Sequence, residues 1–265
     1  MTTQHTEAPA TIMRLRFLGT GTSTGVPMIG CQCPVCTSAD PHDHRLRTSA
    51  LLQTAAGTSL LLDCSPDFRA QMLPLPFRPL DAVLITHEHY DHISGLDDLR
   101  PFCRFGPIHL WAEDNTLTHI RQCMPYCFAE ARYPGVPDIR LNTVVAGRVF
   151  HINELEILPL RVMHGRLPII GFRIGSMAYI TDMKTIPAES LDALRGIQTL
   201  IVNGLRYKPH GSHQTIGDAI RLAQTLAPEQ TYLIHMSDGA GLHRDLELSL
   251  PPNIHAAYDG LEIDC

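Results

Sequence analysis

One short apolar run, Ala82 to Ile85, ends in Thr86 and then in His87-Glu88-His89-Tyr90-Asp91-His92. No other segment constrains the chain as much. The apolar run has the length of a buried strand, and the six residues after it carry three imidazoles and a carboxylate. On an extended or looping backbone, alternate side chains of such a run can converge on two adjacent ions. A solvent-exposed polar loop is the bland reading, but three uncommon histidines in six positions weigh against it. A single-metal site using only part of the run is the stronger rival.

The chain has 265 residues, 44% of them hydrophobic and 18% charged, enough for a full core. Its formal net charge is -6 and no Lys/Arg run stands out, which argues against a general polynucleotide binder. No apolar stretch approaches the ~20 residues that cross a bilayer. Met1 to Ile12 is polar and lacks the apolar core of a secretory signal, so a cytoplasmic protein without a membrane partner is expected. Residues 1–12 are expected to be a disordered tail, with one domain over 13–265.

Met13 to Leu18 alternates apolar and polar residues as a half-buried strand does. Ser59 to Leu62 reads as a buried strand ending at Asp63. Ile93 to Arg100 reads as a short helix closed by Pro101, and Asn115 to Gln122 as another in a middle region, Ile108 to Arg161, with little other periodicity. Strand, then ligand-type residue, recurs at Glu156 to Val162 before His164, at Ser176 to Thr181 before Asp182, and at Tyr232 to Ile234 before His235; Gly171 to Ile174 and Thr199 to Val202 are further strands. Thr215 to Leu226 is an amphipathic helix with Thr215 and Asp218 placed as a capping box.

The run His87 to His92, with His164, Asp182 and His235 following in order, resembles the signature of the metallo-β-lactamase superfamily. The resemblance implies an α/β fold, a four-layer αββα sandwich in a single domain. It also implies a ligand set: His87, His89 and His164 on one ion, Asp91, His92 and His235 on the other, and Asp182 bridging them. Independently of the family, carboxylates and imidazoles suit Zn²⁺ or Mn²⁺, and two ions a few Å apart can share a hydroxide nucleophile.

Gly19-Thr20-Gly21-Thr22-Ser23-Thr24-Gly25-Val26-Pro27, Gly30-Cys31-Gln32-Cys33-Pro34-Val35-Cys36, Asp63-Cys64-Ser65-Pro66-Asp67, Pro209-His210 with His213, and Tyr258-Asp259-Gly260 are similar to the PhnP-like phosphodiesterase branch. Of eight cysteines, Cys31, Cys33 and Cys36 cluster as a tight turn that suits one structural Zn²⁺ better than cross-links. In that branch a histidine three positions after the last active-site histidine completes the site; here the position holds Asp238, which is the favoured fourth ligand, with His243 as the alternative. His213 aligns with a histidine that contacts substrate phosphate and assists the leaving group, while Asp63 and Ser65 are expected to orient the ligand loops. The glycines of Gly19 to Gly25 lack the Lys-Ser/Thr of a nucleotide-triphosphate loop.

The resemblance therefore implies a phosphodiesterase that acts on a small cyclic or nucleotide-like phosphodiester through a two-metal-activated hydroxide, with Asp91 and His213 as catalytic residues. The partners expected are that substrate and no long nucleic acid; a homodimer is left open. An RNase Z-type nuclease shares the ligand run but needs an RNA-binding arm that no segment resembles. A biosynthetic relative similar to pyrroloquinoline quinone synthesis protein B shares the cysteines, but retention of all seven active-site ligand types argues for hydrolysis.

Overall fold

Met13, Leu15 and Phe17 are buried while Arg14 is exposed, the alternation of a strand with one dry face. This strand, β1 (Met13–Gly19), opens the computed structural model, which describes residues 13–131 and 134–265. The expectation of a disordered tail over 1–12 lies outside the described residues. In the first sheet β1 is followed by β2 (Ser49–Thr54), β3 (Ser59–Leu62), β4 (Ala82–Leu84), β5 (Ile108–Ala112) and β6 (Ile139–Thr143). The second holds β7 (Phe150–Ile152), β8 (Leu155–His164), β9 (Leu167–Ile174), β10 (Met177–Ile180), β11 (Thr199–Asn203), β12 (Gln230–Ile234) and β13 (Ile254–Ala256). A last strand, β14 (Glu262–Asp264), returns to pair with β1.

Each sheet changes character halfway. β1, β2 and β3 pair antiparallel and β3 to β6 parallel; β7 to β10 pair antiparallel and β10 to β13 parallel. Parallel neighbours need crossovers, and these supply the outer layers. On the first sheet they are α1 (Phe68–Met72), α2 (Tyr90–Ile93), α3 (Asp114–Cys123) and α4 (Pro125–Phe128); on the second, α5 (Ala188–Ala193), α6 (Ile216–Leu226) and α7 (His243–Ser249). Between the sheets Leu15, Phe17, Leu52, Leu60 and Leu84 meet Ile157, Phe172, Ile174 and Tyr179. Separate apolar clusters lie under each helical layer. The result is the αββα sandwich implied by the resemblance.

The helix expected over Ile93 to Arg100 is a correction. α2 starts earlier, at Tyr90, and ends after one turn; 3-10 turns then run from Leu96 to Phe105 through Pro101, which does not stop them. Leu96, Leu99 and Phe102 are the buried residues there, a period of three that lays one face of a 3-10 helix on the core. Gly95 marks the break: a Cβ there would lie 2.1 Å from the Ser65 carbonyl oxygen. The poorly periodic middle region contains edge strands β6 and β7, and β6 keeps one buried residue in five, which leaves little pattern to read. α6 follows its sequence closely. Thr215 Oγ1 accepts from Asp218 N at 3.1 Å, and Asp218 Oδ2 accepts from Thr215 N at 2.9 Å. Among the described residues no helix is long and apolar enough to cross a membrane.

Candidate metal centre

The chemistry-bearing residues sit where strands stop. β3 hands over to Asp63, β4 to the run Thr86 to His92, β10 to Asp182 and β12 to His235, while His164 closes β8. Asp63, Asp182 and His235 have φ of 57°, 59° and 52°. Left-handed backbone is unfavourable for such residues unless the surroundings impose it, and here it accompanies Asp182 and His235 side chains that meet at 3.1 Å and an Asp63 side chain set behind His92.

His87, His89, His164 and Asp182 each offer a donor atom within 4.8 Å of the others, and so do Asp91, His92, Asp182 and His235. Asp182 belongs to both groups. Its Oδ2 lies 3.8 Å from His87 Nε2, and its Oδ1 lies 3.4 Å from His92 Nε2 and 3.1 Å from His235 Nε2. Asp91 Oδ2 is 3.2 Å from His92 Nε2 and 3.3 Å from His235 Nε2. All are buried except His89, which is exposed and marks the open side.

Hydrogen bonds behind the centre fix which ring nitrogen faces it. Thr86 Oγ1 donates to Asp63 and is therefore free to accept from His87 Nδ1 at 3.0 Å; His92 Nδ1 donates to Asp63 Oδ2 at 2.9 Å; His164 Nδ1 donates to the Asp182 carbonyl at 2.7 Å. Each ring is thus left with its Nε2 lone pair pointing inward, as a metal ligand requires. On the ligand rings, three buried nitrogens have no hydrogen-bond partner: His87 Nε2, His92 Nε2 and His235 Nδ1. Orphaned buried acceptors of this kind are expensive unless something binds them.

Charge gives the same answer. Burial works against the charge of Asp182, but His235 and His92 outweigh it and hold the carboxyl well below its ordinary range; Asp91 is held down in the same way, by His92 and His235. Burial keeps His87 well below the usual imidazole value and so neutral. Burial also opposes a charge on His92, yet Asp91, Asp182 and Asp63 push its pKa well up: three carboxylates draw to this point a positive charge that a bound cation would supply in place of the Nε2 proton. The donor set fits divalent cations such as Zn²⁺ or Mn²⁺.

His213 joins this centre. Its Nε2 lies 3.2 Å from Asp182 Oδ2 and its ring stacks on His235 at a 5.0 Å centroid distance. Burial lowers its pKa, against the pull of Asp182. Thr86 was not singled out as a site residue, although its hydroxyl couples Asp63 to His87; its position between strand and histidine run was the available signal. Ser65 serves the neighbouring loop instead, donating to Gln71 Oε1 at 3.1 Å.

A third donor group is Cys31, Cys33, Cys36 and Asp238, again within 4.8 Å of one another. Asp238 Oδ2 is 3.6 Å from Cys31 Sγ and 3.5 Å from Cys33 Sγ. The Cys36 amide donates to Cys33 Sγ and lowers the Cys33 pKa, whereas burial pushes Cys36 up to about 12. His243, the alternative fourth ligand, is engaged elsewhere: its amide donates to Asp43 Oδ1, its Nδ1 lies 3.4 Å from Arg45 Nη2, and its ring packs on His42 and Tyr258.

Residues 58–236 match the Beta-lactamase superfamily domain. A solved diphosphatase of the PhnP family superposes with a TM-score of 0.89 at 37% identity, over 96% of this chain and 97% of that one. The coenzyme PQQ synthesis protein B of Methylobacterium nodulans is 34% identical over 221 residues, 72% of this chain and 73% of that protein. A protein of Porphyromonas gingivalis named octanoyltransferase is 51% identical over 251 residues, 94% of this chain but 51% of the relative, so the chain spans about half of that protein's length. The chain belongs to the beta-lactamase superfamily, and within it to the PhnP family.

Proposed function

We propose that the chain is a metal-dependent hydrolase of small phosphodiesters, cyclic or nucleotide-like, with two ions in the His/Asp centre and one structural Zn²⁺ in the cysteine loop. The observation that carries this reading is Asp182, whose two oxygens are shared between two donor groups lined by imidazole Nε2 atoms. His87, His89 and His164 would hold one ion, Asp91, His92 and His235 the other, and Asp182 would bridge them. Bound there, the ions supply Lewis-acid charge for phosphoryl oxygens and a water acidified enough to attack phosphorus. The protein's own part is to keep the ligand rings neutral and aimed, and to bring a proton to the departing oxygen. His213 is placed for the latter because its Nε2 faces the centre beside Asp182.

The diphosphatase relative supports including the phosphoanhydride of a diphosphate among the substrates to be tested. A net charge of -6 supports small substrates over long RNA, which draws much of its binding from basic surface. The octanoyltransferase name belongs to a protein about twice the length of the match and is not carried over to this centre.

The test is metal analysis combined with a panel of cyclic and linear phosphodiesters, including bis(p-nitrophenyl) phosphate. Hydrolysis that disappears on chelation and in His89→Ala is the expected result, with one ion fewer per chain in Asp238→Ala and no change in His243→Ala. Hydrolysis that survives complete removal of metal refutes the reading, and unchanged stoichiometry in Asp238→Ala refutes the assignment of the structural ion.

A further inference from the structure

The loop Pro209-His210-Gly211-Ser212-His213 meets the centre through its last two residues, Ser212 at His164 and His213 at Asp182. Arg206 Nε and Nη2 donate to the carbonyls of Lys208 and Pro209, the Ser212 carbonyl accepts from His164 Nδ1 at 3.0 Å, and the Gln214 amide donates to the Met183 carbonyl at 2.8 Å. Within this clamped loop, His210 Nδ1 lies 3.1 Å from His213 Nδ1. Two ring nitrogens at that distance share one hydrogen, and a backbone contact decides which of them carries it. The Ser212 amide donates to His210 Nδ1 at 3.3 Å. An amide cannot accept, so His210 Nδ1 presents a lone pair and the proton must sit on His213 Nδ1.

We infer that His210 is a positioning residue for His213. It accepts the His213 Nδ1–H bond and holds the ring so that Nε2, on the opposite side, faces the substrate. The inference rests on the phosphodiesterase reading of the centre. The arrangement is that of an acceptor orienting a catalytic histidine, the part a carboxylate plays behind the histidine of a serine-hydrolase triad, performed here by a neutral imidazole. As the P–O bond to the leaving group breaks, its electron pair goes to the departing oxygen. The imidazolium form of His213 gives its Nε2 proton to that oxygen, while the Nδ1–H stays donated to His210, so the ring ends as its neutral Nδ1–H tautomer. Ser212 Oγ, 3.1 Å from His213 Nδ1 and 3.3 Å from His210 Nδ1, is within hydrogen-bond distance of both rings.

His210 is half-buried and, unlike His213, does not line either donor group, so its replacement leaves the ligands in place. The test separates orientation from general disruption by the leaving group. In metal-loaded His210→Ala, hydrolysis of an alkyl phosphodiester, whose alkoxide needs a proton, is expected to fall about 10- to 100-fold in kcat, less than the roughly 10²- to 10⁴-fold that a general acid itself supplies, because His213 stays in place. Hydrolysis of bis(p-nitrophenyl) phosphate, whose phenolate leaves unaided, should change less than about threefold. His210→Asn, which keeps a side-chain acceptor, should recover part of the alkyl-ester rate. Equal losses on both esters, or no loss on either, overturn the inference. Nitrogen-15 spectra of the ring nitrogens give a second readout independent of turnover. His213 should carry its proton on Nδ1 in the wild type and lose that preference in His210→Ala; a wild-type His213 protonated on Nε2 alone refutes the role of His210. If the wild type hydrolyses neither ester, the phosphodiesterase reading fails by itself, and the spectra still decide the hydrogen bond.

Discussion

Asp63 and Asp182 occupy equivalent places in the two halves of the sandwich. Each follows the last strand of an antiparallel stretch, just before the sheet turns parallel, and each is left-handed, with φ of 57° and 59°. Both are buried. Their surroundings differ in what they offer. Asp63 accepts from the Thr86 amide, the Thr86 hydroxyl and His92 Nδ1–H, and burial raises its pKa despite those bonds. Asp182 faces the Nε2 atoms of His87, His92, His213 and His235, and is held well below the usual range despite burial. The same strand-end geometry makes a brace where protein donors consume the carboxylate, and a candidate ligand where a single hydroxyl, that of Thr181 at 2.6 Å, donates and imidazoles make up the rest of the surroundings. Donor inventory, more than backbone position, separates the two roles.

The largest effect that can break this contrast comes from Asp182. Asp182→Ala removes the one carboxylate common to both donor groups, and both active-site ions should be lost or bound weakly in metal analysis. Phosphodiester hydrolysis should fall roughly 10³-fold or more, since the ions bring several kcal/mol of charge stabilisation and each ~1.4 kcal/mol is tenfold. Full occupancy of two tightly bound ions in this variant would show that Asp182 is no bridge.

Asp63→Asn is the matching substitution in the brace, with a smaller expected effect. Asn cannot accept on both sides, so either the Thr86 contact is left unmatched or His92 loses the partner that fixes its tautomer. A decrease in metal affinity or kcat of about 10- to 100-fold is expected, with two ions still bound at saturating metal. If Asp63→Asn loses an ion outright, as Asp182→Ala should, the division into brace and ligand fails.

The sequence disclosed the ligand side of this contrast more readily than the bracing side. His87 to His92 is dense enough in uncommon residues to read unaided, and His164, Asp182 and His235 were found because each closes an apolar run. The capped helix α6 was legible for a similar reason: cap, box and apolar face all lie within twelve residues. Thr86 and the pairing of His210 with His213 were not singled out, because a hydroxyl or an imidazole becomes informative only when its hydrogen-bond direction is known. The 3-10 segment after α2 was misread as a helix closed by Pro101, since the period of three in Leu96, Leu99 and Phe102 is close enough to 3.6 to mislead over so short a span.

A third aspartate sharpens the rule at the smaller end of the scale. Asp259 accepts from the Thr20 amide, the Thr20 hydroxyl and the Leu46 amide, a brace like Asp63, and it ties β1 and the Arg45 segment to the chain's closing turn. Burial pushes it up to about 6, against those bonds and the nearby Arg45, and it has none of the imidazoles that pull Asp182 down. An acid whose folded pKa lies above its unfolded value of about 3.9 binds its proton more tightly when folded. Its stabilising contribution is therefore complete below about pH 4 and is lost as pH rises through about 6. In chelated protein the stability difference between wild type and Asp259→Asn should shrink by on the order of 2 kcal/mol from pH 4 to pH 6, measured by denaturant unfolding. A difference that grows over this interval would mean that the three donors outweigh burial, and that a brace can hold its charge as firmly as a ligand.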